Sequence, residues 1–192
     1  RWTTLEYHQC PNCPLSEETH PFCPVALNLV DLIEFFKTYN SFDQVNVEVE
    51  VKERSYRKKT SLQEGISSIL GIYMVTSGCP VLEKLKPMVR FHMPFASPLE
   101  TTYRAVCMFL MAQFIKKSEG LEADFSLNEL VEIYDEIQEV NTAFSSRLKS
   151  ININDASINA VVILDCFSQF VRFSINYENL SEIKDFFHPY FP

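Results

Sequence analysis

At 192 residues, with 46% hydrophobic and 22% charged positions, the chain can bury one proper core and is not a disordered segment. A formal net charge of −8 argues against broad nucleic-acid binding, which needs clustered Lys and Arg against phosphate. No run reaches the roughly 18 to 20 consecutive apolar residues of a membrane span, and the opening residues RWTTLEYHQC lack the basic-then-apolar pattern of a signal peptide. A cytoplasmic protein without a membrane partner is therefore expected, and the missing initiator Met is in keeping with a longer chain.

Residues 1–24 are rich in Cys, Pro and polar side chains, and their prolines forbid a regular helix or central strand. This arm needs something to fold around. The segment VALNLVDLIEFFKTY then carries Ala26, Leu29, Val30, Ile33 and Phe36 at helical spacing. Val45, Val47, Val49 and Val51 alternate with polar residues and predict a half-buried strand. Its partner is sought before Arg1 or in VRFHMPF. The basic run Lys52, Arg54, Arg57, Lys58 and Lys59 reads as a solvated strand end.

Ser61 to Glu64 forms a capping-box pattern that opens a helix to about Met74, stopped at Thr76-Ser77-Gly78. A short helix is expected after Pro80. Ser97-Pro98-Leu99-Glu100 is a second start signal, with Leu99, Tyr103, Val106, Leu110 and Phe114 marking one face behind it. A third, Ser126 to Glu129, precedes a helix on which Leu127, Leu130, Tyr134, Ile137, Asn141, Phe144 and Leu148 repeat by threes and fours. Asp155 caps an almost continuously apolar helix, expected to be central and well covered, and a short helix near residues 180–187 follows. The pattern is mainly α: a single helical bundle over residues 25–192 with a minor β element, preceded by the Cys/Pro-rich arm.

The six cysteines fall into two kinds. Cys107 and Cys166 lie within helices among apolar neighbours and read as small core residues. Cys10, Cys13, Cys23 and Cys79 are each followed by proline. Proline holds the residue before it extended, and where a helix follows, that cysteine becomes the N-cap, facing free backbone amides and the positive end of the dipole. Such a place stabilises a thiolate. The spacing C-x2-C-x9-C, with Cys79 much later, resembles scattered cluster ligation more than two paired zinc knuckles. A [4Fe–4S] cluster held by these four residues is the leading expectation, with zinc as the alternative; disulfides, a redox thiol pair or no site complete the range.

Arg90 and His92, in KPMVRFHMPFAS, are expected beside the centre, where they would balance charge, bind an anion or donate protons. That segment reads as extended, with Val89, Phe91, Met93 and Phe95 facing one way. His8 and His20 read as polar loop residues in preference to ligands or donors to the centre, and Asn141 and Asp165 each as a satisfied polar group in an apolar seam or a register device. No P-loop, dinucleotide fingerprint, nucleophile elbow or HExxH pattern is present, so any catalysis would come from the metal centre.

The segments YHQCPNCPL, FCPVALNL, LGIYMVTSGCPVLEKLKPMVRFHMPFAS and ETTYRAVCMFLMAQF resemble an uncharacterised family of bacterial proteins of unknown function, over roughly Leu5 to Leu164. The resemblance implies a bacterial, cytoplasmic protein and transfers no activity. The expected function is that of an iron–sulfur protein in redox or small-molecule sensing or electron transfer, with an unidentified protein redox or signalling partner. A zinc-pinned structural or interaction domain is the alternative, and a cluster-dependent enzyme a further one.

Overall fold

The computed structural model describes residues 1–176 and 180–191. Among them the chain forms α1 (Pro24–Asn28), α2 (Val30–Phe36), β1 (Gln44–Val51), β2 (Arg54–Ser61), α3 (Leu62–Val75), α4 (Lys86–Arg90), α5 (Pro98–Ser118), α6 (Asn128–Lys149), α7 (Ala156–Asn176) and α8 (Ser181–Phe186). Short 3₁₀ turns occupy Leu82–Leu85 and His188–Tyr190. The protein is mainly α, with one antiparallel hairpin. Helix α7 is the hub, packed against α6, α3 and α5, while the hairpin rests on α3. The buried face of α6 is the stripe read from sequence: Leu130, Tyr134, Ile137, Asn141, Phe144 and Leu148 all point inward. Asn141 is satisfied there, donating through Nδ2 to Ser168 Oγ at 3.2 Å.

Several expectations are corrected. The strand partner lies neither before Arg1 nor in VRFHMPF; it is the basic run itself, paired from Gln44↔Ser61 to Val51↔Arg54 around a turn at Lys52-Glu53. β2 shows no alternation because it leaves almost every side chain in water. The segment VRFHMPF is not extended, since Pro87 starts α4 and Phe91 ends it. The first predicted helix is two, broken at Leu29.

Only one of the three capping boxes closes. Ser97 Oγ accepts from Glu100 N at 3.2 Å while Glu100 Oε2 accepts from Ser97 N at 2.7 Å. Ser61 caps nothing through its side chain. At α6 the cap is Asp124, whose carboxylate accepts from the amides of Ser126 at 2.7 Å and Glu129 at 2.8 Å, with Leu127 left-handed at φ 66°.

The inward face of α5 is Thr102, Ala105, Phe109 and Gln113, and Tyr103 and Phe114 of the predicted face are exposed. Apolar residues are spread so evenly around this helix that spacing alone does not choose a side. Cys107 and Cys166 are likewise exposed rather than core. Helix α7 is central but not fully covered: Val162, Phe170 and Phe173 reach solvent. By length and composition its span Ala156–Ile175 would suffice to cross a membrane, with 28% of that window buried in the bundle.

Candidate metal centre

Two segments distant in sequence build the site. The arm is folded back by an antiparallel bridge between Thr4 and Phe22, in which Cys23 N donates to Thr3 O at 2.9 Å and Leu5 N to Pro21 O at 3.0 Å. Leu5 is buried beneath it. Cys23 then has extended backbone angles (φ −71°, ψ 120°), Pro24 stands first in α1, and Leu27 N donates to Cys23 O at 3.0 Å. It is the N-cap that its Cys-Pro step predicts. Cys10 and Cys13 close a turn, with Cys13 N donating to Cys10 O at 3.1 Å. Asn12 between them fixes the turn to α6 by donating to Glu136 O at 2.9 Å.

Cys79 arrives from the other end of the sequence segment. Thr76 ends α3 and Gly78, at φ 89°, turns the chain in a conformation that favours glycine. Ser77 Oγ accepts from Cys79 N at 3.2 Å. The Cys79 sulfur accepts from the backbone amides of Leu82 and Val81, and Glu83 N donates to Cys79 O at 3.1 Å. The helix expected after Pro80 is shortened to a 3₁₀ turn, yet the amides of a helix start still face the sulfur.

All four thiols share one electrostatic neighbourhood. Burial, then Cys23, Cys13 and Cys79, push Cys10 up to about 12, against a smaller pull from Arg147. Burial also raises Cys79, the amides of Leu82 and Val81 work the other way, and Cys23 and Cys13 add to the rise. None of the cysteines is disulfide-bonded. Among the described residues no group of three or more His, Cys, Asp or Glu side chains is arranged to hold a metal ion; the thiols are neighbours without forming a closed ligand set.

Arg147, in the last turn of α6, is the residue that sequence reading missed. It is 2% exposed. Nη1 donates to Trp2 O at 2.6 Å and Thr4 O at 2.7 Å, and Nη2 to Leu5 O at 3.1 Å. Burial lowers its pKa, while Cys23, Cys10 and Cys13 favour its charge. It therefore pins the arm and places a cation beside the thiols. The available signal was its position, three residues after buried Phe144 on the apolar stripe.

Arg90 and His92 are brought to a different place. Arg90 is exposed at the end of α4. His92 lines a cavity whose walls include none of the four cysteines, and the charge acting on it is that of Arg104. His8 and His20 are exposed loop residues, the latter bonded to Thr19 at 2.9 Å.

These features define a helical-bundle protein with a cysteine-bearing arm clamped onto one end by a buried arginine. Residues 1–188 match the family described as Domain of unknown function (DUF6901), and the chain belongs to that family. Neither the curated proteins nor the solved structures contain a significant match.

Proposed function

We propose that Cys10, Cys13, Cys23 and Cys79 bind a metal centre, an iron–sulfur cluster of the [4Fe–4S] type, and that the protein serves redox or small-molecule sensing or electron transfer. The observation that carries this reading is the mutual influence of four thiols, from the arm and from the end of α3, with the buried cation Arg147 acting on the three of the arm. Neutral thiols crowded together in partial burial resist ionisation. A metal replaces their protons and holds the thiolates. Arg147 would offset the negative charge of the loaded centre, and the amides of Leu82 and Val81 would donate to the Cys79 sulfur, the kind of hydrogen bond that tunes a cluster's potential. Loading requires the thiols to turn toward a common point. The reading carries with it a cytoplasmic location and a protein redox or signalling partner.

A zinc site on the same residues is the second reading, favoured by the tight C-x2-C turn that the Cys13-to-Cys10 backbone bond closes. Anaerobic purification separates the two. Absorption spectra and iron, zinc and acid-labile sulfide contents are measured for the wild type, Cys79→Ala and Cys107→Ala. A broad band near about 400 nm with iron and sulfide is expected in the wild type and Cys107→Ala, and is lost in Cys79→Ala. Zinc without sulfide selects the second reading. Equal metal content in the two variants, or no metal in the wild type, overturns the assignment.

A further inference from the structure

A cavity of about 570 Å³ lies between α3, α4, α5 and α7, clear of the four cysteines. Small-molecule sites span roughly 300–1,000 Å³, with mostly apolar walls and a few converging polar groups. This one has that make-up. Ile72, Met88, Val89, Leu164 and Phe167 supply apolar wall, and Arg104 and His92 reach it from α5 and the end of α4.

Arg104 is the informative residue. Its Nη2 donates to Met88 O at 3.1 Å and Phe91 O at 2.9 Å, which fixes the guanidinium over the C-terminus of α4. Among the described residues no carboxylate pairs with it and no acceptor meets its Nε or Nη1. The other cation on the wall, Lys58, is already paired with Glu64 at 3.4 Å. Glu100, one turn earlier on α5, acts on it at longer range while bonded to the Ser97 amide; the guanidinium therefore has no direct ion pair and keeps open donors, a state that favours an arriving anion. Burial and Arg104 hold His92 below the usual histidine range, so at neutral pH it is an uncharged hydrogen-bonding partner.

Gly71 adds a second observation from the opposite wall. It sits inside α3 without a positive φ, where alanine would be the better helix former. A Cβ there would meet Leu164 Cδ2 at 3.6 Å, an ordinary contact. Glycine here lets α3 and α7 approach closely at Leu164, and both residues line the cavity.

We infer that the cavity binds a small amphipathic carboxylate, with its acid group on Arg104 and its apolar body against Leu164, Phe167 and Met88. Charge complementarity selects the head group, and the walls select the body. The assignment uses none of the proposed metal ligands, and its test does not read metal.

Calorimetric titration of the full chain with decanoate, 2-naphthoate and decanol tests it. Saturable binding of decanoate or 2-naphthoate supports the assignment and tells an aliphatic body from an aromatic one. Decanol should bind at least about tenfold more weakly, since only the anion answers Arg104. Arg104→Gln should weaken carboxylate binding by about tenfold or more. Because Arg104 also caps α4, Ala96→Phe is the companion variant: Ala96 lines the cavity from the half-buried loop before α5, so the added ring narrows the cavity and should weaken carboxylate binding by about tenfold or more while leaving the α3–α7 contact untouched. Binding of neither carboxylate, equal binding of decanol, or unchanged binding in a folded Ala96→Phe protein would overturn the assignment.

Discussion

The arm and the hairpin are both appended to the bundle, and they are held in opposite ways. The hairpin has a complete ladder from Gln44 to Ser61, so its backbone satisfies itself. It touches the bundle lightly. Val45, Val47 and Val49 are only half-buried, Thr60 is buried, and Ser41 just before β1 gives its amide and hydroxyl to Asp155 at 2.8 Å each. The arm has one isolated bridge and a few turns. Its prolines deny it a ladder, so its carbonyls find donors in the bundle instead. Arg147 serves three of them, Asn12 reaches Glu136 O, and Tyr7 Oη donates to Ser150 Oγ at 2.7 Å. Regular backbone bonding and integration into the fold are separate properties. Here the irregular segment is the better integrated one.

Arg147→Met is the strongest attempt to break that contrast. The variant keeps much of the apolar stem but removes the donors to the Trp2 and Leu5 carbonyls and leaves Thr4 O only its bond from Tyr7 N. Buried acceptors left without partners cost about 1–3 kcal/mol each. A loss of about 3 kcal/mol or more in urea unfolding is expected, with faster hydrogen exchange at the Leu5 and Cys23 amides. The hairpin amides should keep their protection. Retained protection in the arm would show that it is anchored by something other than Arg147.

Alkaline pH probes the same end more gently. The metal-free fold keeps Cys10 protonated up to about 12, against an ordinary 9.0. The stability contributed by this group is therefore complete below the ordinary value and is lost as pH rises toward the folded one. The slope is about 1.4 kcal/mol per pH unit for each such group. Urea midpoints of metal-free protein should fall above about pH 9, and less so in Cys10→Ala. With the proposed metal bound the sign would reverse, because protons compete with metal for sulfur as pH falls. A midpoint that is flat across that alkaline range would mean that Cys10 is not held neutral by the fold.

The same contrast explains what was legible in the sequence. Periodicity found the inward stripe of α6, because that helix has one apolar side and one charged side. It chose the wrong face of α5, where apolar residues surround the helix. It found β1 from alternation and missed β2, whose register is written in the backbone and whose side chains stay in water. The Cys-Pro rule placed Cys23 at a helix start and turned backbone amides toward Cys79 because proline's constraint is local. Nothing local announces that Arg147 crosses to Trp2, Thr4 and Leu5, or that His92 faces Arg104. Those pairings depend on how the helices pack, and an extended reading of VRFHMPF did not place His92 on the cavity wall beside Arg104.

The smallest expected effect concerns the seat of the hairpin. Gly65 lies in α3, and a Cβ added there would stand 3.0 Å from Val47 Cγ2, too close unless β1 gives way. Alanine at an exposed mid-helix site would normally gain about 1 kcal/mol over glycine. At Gly65 the crowding opposes that gain, so Gly65→Ala alone should leave stability near the wild type or lower it slightly. In a Val47→Ala background the obstructing methyl is gone and the full gain should return, a coupling of about 1 kcal/mol in a double-mutant cycle followed by urea unfolding. If Gly65→Ala instead stabilises the wild type by the whole amount, β1 yields at no cost. The hairpin would then be held to the bundle by little beyond the Ser41–Asp155 bonds, making the contrast with the arm sharper still.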